Sequence, residues 1–366
     1  MTYLSEELRA IANLPEGATA QDLIIKLDEE EDLNVLDGLL ESQDSRLLAQ
    51  QSLANLQSYT IELVEQTESP RLGFLEFIVE SCPLPVLIGF FDRNEIINPV
   101  TGLENLIFWT AIDSRGPIHN QWGNKDGVPV INWRAALSGK AVIAIPQSLD
   151  SVPLLRLLAA LFSLKHADLP VSSVQATLKD SAAGVTLRND AADYSETQSR
   201  LIFEAISETN PKWRCLSFYR ILENAYLNNI KRILNASFDF DAKTAIATAQ
   251  KSVSSEVQQL LTLSETLAMQ GEFLKFNTDF ESLIQVNNKF IEAIDNNARD
   301  DKDLYGHRDL WRKAVLRFYK LRCSIAHGGT SSVIYEQFSD ANSAALSLLP
   351  SIEELAFKSL KIEVLY

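Results

Sequence analysis

Cysteine is scarce in this chain. There are three in 366 residues, Cys82, Cys215 and Cys323, odd in number and far apart. That spacing argues against a disulfide framework and against a cysteine-built zinc site. The chain has no Walker-type loop, no Gly-x-Gly-x-x-Gly and no His-Glu-x-x-His. Phosphate-loop, dinucleotide and zincin chemistry therefore have no carrier in the sequence. Long apolar runs are missing too. Segments 83–91 and 152–164 are the longest, and Arg156 interrupts the second. Both fall short of the ~20 residues that span a bilayer. Segment 2–15 is polar and acidic, unlike a secretory leader. The expectation is a soluble, cytoplasmic protein with no membrane partner.

Positive charge is in deficit, with 33 Lys and Arg against 49 Asp and Glu, a net of −16. The deficit is uneven. Residues 1–70 carry 15 acidic and 3 basic side chains, a net of −12, whereas residues 200–366 carry 21 and 20, a net of −1. The C-terminal part is the one suited to a polyanion. From Lys302 to Arg322 there are seven basic residues against Asp303 and Asp309, a net of +5. A charge run alone reads as a solvated helix face. Its continuation into Arg322 makes it a candidate phosphate-contacting stripe.

A hydrophobic content of 46% with 22% charged residues is that of a globular protein, and 366 residues predict two or three domains. Residues 1–68 read as acidic helices, with Leu23, Ile24, Leu27, Leu33, Leu36, Leu39 and Leu40 at helical spacing and a second amphipathic stretch over 47–64. This region is either a small adaptor that recruits a protein partner or a packed N-terminal cap. Residues 71–190 change pattern. Short apolar runs at 86–91, 106–112, 128–133, 141–145 and 171–178 alternate with Gly, Pro, Asn and Asp, which predicts strands, with a helix over 153–166. This is a mixed α/β or α+β domain. Asp113, Arg115, His119 and Asp126 cluster near its Gly-rich loop without a recognisable metal or triad spacing, and 123–127 reads as a turn. His166 reads as the C-terminal residue of the helix, favoured by its dipole.

From 196 to 366 helices are predicted throughout, at 213–236, 253–270, 276–296 and 307–327, then 335–349 and 351–362 divided at Pro350, with a polar loop over 296–305. Helices joined by short connections pack as a bundle. Gly328-Gly329 is a helix stop signal. His307 and Cys215 read as structural.

The segment that carries chemistry is Tyr319-Lys320-Leu321-Arg322-Cys323-Ser324-Ile325-Ala326-His327-Gly328-Gly329. An Arg keeps its charge at any working pH and forks onto phosphate oxygens, while a His four residues on can move a proton near neutrality. The segment resembles the Arg-x4-6-His signature of HEPN domains, over roughly residues 196–366. The resemblance extends to the aromatic and basic lead-in, the Ile-Ala before the His and the glycines after it. It implies an all-α bundle, often a metal-independent ribonuclease of defence or toxin systems. Catalysis would come from Arg322 and His327 in a homodimer whose two motifs face one cleft. No metal or other cofactor is implied.

The family commonly has a polar residue directly after the Arg. Here that residue is Cys323, a weak donor and acceptor, and Ser324 is the candidate to supply the missing hydrogen bond. A Cys323–His327 nucleophilic pair has no supporting context. Arg317 and Lys320 are candidates to hold flanking RNA phosphates. Arg220 and Glu223 either orient His327 from an early helix or form a surface i,i+3 pair. The alternative to an RNA-cleaving effector is a non-catalytic HEPN module for dimerisation or ligand binding.

Overall fold

The computed structural model describes residues 14–18, 22, 58–66, 73–90, 122–125, 128–131, 139–167, 169, 184–187, 194–253, 255–326 and 333–365. The helices expected before residue 58, the strands expected at 106–112 and 171–178, and the cluster Asp113, Arg115, His119 and Asp126 lie outside them. Within the described residues the protein is mixed α/β, with ten helices and a six-stranded mixed sheet. It divides into two compact units, 1–194 with 365–366, and 195–364. No helix among the described residues is long and apolar enough to cross a membrane.

The first unit contains β1 (Tyr59–Glu65), β2 (Gly73–Val79), β3 (Val86–Phe90), β4 (Trp122–Lys125), β5 (Val128–Ile131), β6 (Lys140–Pro146), α1 (Ser151–Phe162) and β7 (Gly184–Leu187). With β8 (Ile362–Leu365) at the chain's end, the main sheet runs β1-β6-β3-β2-β7-β8. Neighbours β1–β6, β6–β3 and β3–β2 are antiparallel, and β2–β7 is parallel. The central strands β3 and β6 are unbroken apolar runs because they are buried on both faces. Phe162 of α1 meets Phe90 of β3 edge to face at 5.5 Å.

Residues 59–65 correct the helical reading of 47–64. Tyr59 and Ile61 are buried and Thr60 exposed, the period of a strand, and Tyr59 pairs with Pro146 of β6. β4 and β5 pair with each other, so residues 123–125 are strand rather than turn. Helix α1 stops at Phe162, where Ser163 turns left-handed at φ 54°. His166, expected as the last residue of this helix, therefore lies beyond its C-terminus.

The second unit is helical apart from the start of β8: α2 (Glu196–Ser207), α3 (Pro211–Phe238), α4 (Ala242–Val253), α5 (Glu256–Thr266), α6 (Gln270–Gln285), α7 (Lys289–Ala298), α8 (Lys302–Tyr305), α9 (Leu310–Ala326) and α10 (Ala341–Ser359). Capping sets their starts. Ser195 and Gln198 form a capping box before α2. Asn210 caps α3 with Pro211 at its first position. The start of α7 has two caps: the Asn288 side chain accepts from the Ile291 amide, and the Asp340 carboxylate, 51 residues away, accepts from the Lys289 amide at 2.6 Å. The Phe290 amide also donates to Asp340, at 3.3 Å.

Three helix expectations change. The helix predicted over 276–296 is two, α6 and α7, because Asn287 adopts φ 59° between them, a conformation Asn tolerates. The loop predicted over 296–305 holds the end of α7 and all of α8. Pro350 does not divide the last helix but lies inside α10. The carbonyl its missing amide would have met belongs to Leu346, whose side chain is 54% exposed, so that end of the turn faces water. Helix α4 falls between the helices expected at 213–236 and 253–270.

Helix α9 packs against α3, α5, α6 and α7. Its Phe318 meets the rings of Tyr219, Phe273 and Phe276 at 5.3, 5.9 and 5.3 Å. Phe318→Ala empties the middle of this cluster. The expected cost is about 3–5 kcal/mol, read as a lower urea midpoint with an unchanged slope.

Candidate functional site

Helix α9 carries Ala314, Val315, Phe318, Leu321 and Ile325 buried at three- and four-residue spacing. That stripe fixes which way its cations face. Arg322 lies one turn before the final residue, Ala326. His327, which follows, lies outside the described residues.

The Arg322 side chain is 14% exposed and sits between α3 and α5. Its Nη2 donates to Glu223 Oε1 of α3 at 2.8 Å. The same nitrogen is 3.6 Å from Oε1 of Glu256, the first residue of α5. The guanidinium lies 5.2 Å from the centre of the Tyr219 ring, a cation–π distance. Burial works against its charge, but the hydrogen bond it donates to Glu223 and the fields of Glu256 and Tyr219 outweigh it and raise its pKa above the ordinary arginine range. Arg322 is thus a fixed, pre-oriented cation.

Tyrosines surround it. Burial, first, and then the nearby carboxylates push the phenols of Tyr219 and Tyr226 well up. Tyr319 rises to about 12, through burial and then its hydrogen bond with Cys323. All three are neutral donors at working pH. Tyr219 and Arg322 line a small, mostly apolar pocket with Cys215, Phe318, Ile325 and Ile352. No group of three or more His, Cys, Asp or Glu among the described residues is placed to hold a metal.

The other candidates disperse. Arg220 and Glu223 do not pair. Arg220 points outward, 58% exposed and 3.9 Å from Glu204, while Glu223 turns inward to Arg322. Ser324 is fully buried and its hydroxyl donates to the Leu321 carbonyl at 2.6 Å, so it does not supply the hydrogen bond expected of it beside Cys323. Cys323 is half-buried against Tyr319. Lys320 is half-buried and makes no ion pair with a described residue.

Arg317 is the clearest correction. Expected to contact RNA, it is 1% exposed in the core. Its Nε and Nη2 donate to Asp295 Oδ1 at 2.8 and 2.5 Å, and its Nη1 to Asn277 at 2.7 Å and Glu281 at 2.5 Å. Asp295 also accepts from Tyr305 at 2.9 Å and Arg299 at 3.0 Å. With four of its five N–H groups so committed and its side chain buried, this guanidinium is closed to a phosphate. The basic stripe as a whole is largely neutralised, since Arg312 pairs with Glu265 at 2.6 Å and Lys313 with Glu281 at 3.5 Å. Lys302, Arg308 and Lys320 are its members without a carboxylate among the described residues.

Glu256 was not anticipated. In sequence it is an ordinary acidic first-turn residue behind the N-cap Ser255. Glu223 had a weak signal, because Tyr219, Glu223 and Tyr226 recur at one helical face of α3.

A scan of protein-family models, a search of curated proteins and a search of solved structures each find no match to this chain.

Burial alone would raise the Asp295 carboxyl, but the Arg317, Tyr305 and Arg299 bonds hold it below the ordinary carboxylate range. A depressed native pKa contributes stability above the unfolded value of about 3.9, which is lost as pH falls through the native one. Acid unfolding of the helical unit should therefore steepen below about pH 4, and Asp295→Asn should flatten it. At pH 7, Arg317→Ala should cost about 3–5 kcal/mol, because it leaves Asp295 buried and uncompensated. Circular dichroism against pH and urea reads both.

Proposed function

We propose that the chain is a metal-independent endoribonuclease, with a HEPN-like C-terminal bundle, acting in the cytoplasm as an effector of a defence or toxin-type system. The observation that supports it is Arg322, a cation held charged and oriented one turn before the end of α9, directly ahead of His327 in sequence. In this reading Arg322 binds the scissile phosphate and stabilises the charge that develops on it. One imidazole takes the proton of the 2′-hydroxyl, the 2′-oxygen attacks phosphorus, and the bond to the 5′-oxygen breaks as that oxygen is protonated. The products are a 2′,3′-cyclic phosphate and a 5′-hydroxyl. A single His327 cannot take and give a proton in one step, so two copies of the chain, each bringing Arg322 and His327, form the working unit. In this reading the acidic residues 1–68 recruit a protein partner or shield the site until activation.

A second reading has its own observation in favour. Two carboxylates already face Arg322, and most of the basic stripe is paired within the unit. A non-catalytic module for dimerisation or ligand binding would need no exposed cation there.

The deciding experiment is cleavage of end-labelled tRNA and total RNA in EDTA by the full chain and by His327→Ala. The nuclease reading expects cyclic-phosphate ends from the wild type and a loss of about 10²–10⁴-fold in the variant. Cleavage that EDTA abolishes, or equal cleavage by both proteins, overturns it. Absence of cleavage by both favours the non-catalytic reading.

A further inference from the structure

The two carboxylates at Arg322 are held very differently. Glu223 accepts a true hydrogen bond at 2.8 Å. Glu256 stands off at 3.6 Å, in ion-pair range but without a hydrogen bond to the guanidinium. Its second oxygen, Oε2, is buried with no hydrogen-bond partner among the described residues. The Tyr219 hydroxyl is in the same condition, on a side chain 1% exposed, and Glu256 and Arg322 both act on it electrostatically. A buried carboxylate oxygen and a buried phenol left unsatisfied beside one guanidinium are costly and weakly restrained. Glu223 therefore orients Arg322, while Glu256 occupies the neighbouring position without securing it.

We infer that the Glu256 carboxylate is an internal stand-in for a phosphate diester of single-stranded RNA, and that RNA binds at this site by displacing it. The incoming phosphate takes the Arg322 donors that Glu256 faces and accepts from the Tyr219 hydroxyl, while Glu223 keeps its hydrogen bond. Tyr219 thereby becomes a binding residue and Glu256 a brake that sets how much RNA the site takes at a given salt. A phosphate monoester or inorganic phosphate offers the same oxygens without a chain on either side, so it competes only weakly. This inference rests on the ribonuclease reading for its ligand and is separable from it in the test.

The test measures binding of a fluorescein-labelled 2′-O-methyl RNA oligonucleotide to the full chain by anisotropy over a range of salt concentrations. The methylated ribose cannot perform the internal attack, so binding is read apart from cleavage. Glu256→Gln keeps the shape of the side chain and removes its charge. It should tighten binding by about tenfold. It should also steepen the dependence of log affinity on log salt by about 0.7, because the phosphate contact at Arg322 is then no longer offset by freeing a carboxylate that gathers its own counterion. Tyr219→Phe should remove much of that gain, and Arg322→Gln should remove all of it. Glu354→Gln, which deletes a carboxylate paired with Lys275 elsewhere in the unit, should leave affinity unchanged. Glu256→Asp, which retains the charge but withdraws it, provides an intermediate that does not depend on the Gln variant folding well. Unchanged or weaker binding by both Glu256 variants overturns the inference, as does an equal gain from Glu354→Gln. Tighter binding by Glu256→Gln with no cleavage of natural RNA sustains the exchange and removes the nuclease reading. Cleavage of natural RNA with unchanged binding by the Glu256 variants does the reverse.

Discussion

Arg317 carries a permanent positive charge into the middle of the helical unit, and the geometry around it follows from that. A buried guanidinium is tolerated only when its donors are matched. The matching groups are three side chains on two helices: Asp295 on α7, and Asn277 and Glu281 on α6. Satisfying them fixes the rotation of α9 about its own axis. Arg322 is five residues further on, which at 3.6 residues per turn is a rotation of roughly 140°. A helix with Arg317 locked among α6 and α7 must present Arg322 between α3 and α5, and Glu223 and Glu256 are found there. The apolar stripe alone would hold α9 less specifically, because Phe318 and Leu321 can slide against other rings at modest cost. The orientation of the candidate site is thus inherited from a buried ion network that takes no part in it.

The same logic accounts for the fate of the basic stripe. Seven cations within 21 residues of sequence suggest a polyanion surface, and the bundle uses four of them internally. A helix surrounded by others has few exposed positions, so a dense run of charge on it finds partners across the interfaces before it finds solvent. On α9 itself, what is left for a ligand is Lys320 and the partly covered Arg322, with Lys302 and Arg308 preceding the helix.

The parts legible in the sequence were those whose determinants are local. The helices expected at 213–236 and 307–327 are found as α3 and α9, because their apolar spacing and end signals lie within the segments themselves. The strands β3 and β6 could be read because both of their faces are covered, which leaves an unbroken apolar run. The misread parts depend on distant residues. Tyr59–Glu65 has enough apolar side chains at helical spacing to pass for the end of a helix, and only its pairing with β6 decides the matter. Nothing near Arg317 in sequence distinguishes it from Arg312, since Asp295 and Asn277 belong to other helices. Arg322 was found through its motif. Glu256 was not, because a first-turn glutamate behind a serine cap already has a complete local explanation.

Asp340 closes the start of α7 from 51 residues downstream, accepting from the amides of both Lys289 and Phe290. A ribosome adds roughly 5–20 residues each second, so α7 is made about 3–10 s before its carboxylate exists. During that interval those two amides have only water to bond. The last helix is therefore a latch on one synthesised much earlier, and a nascent chain lacking it has the helical unit assembled in part but not closed. Final packing of that unit, and with it the setting of α9, waits until Asp340 has been made.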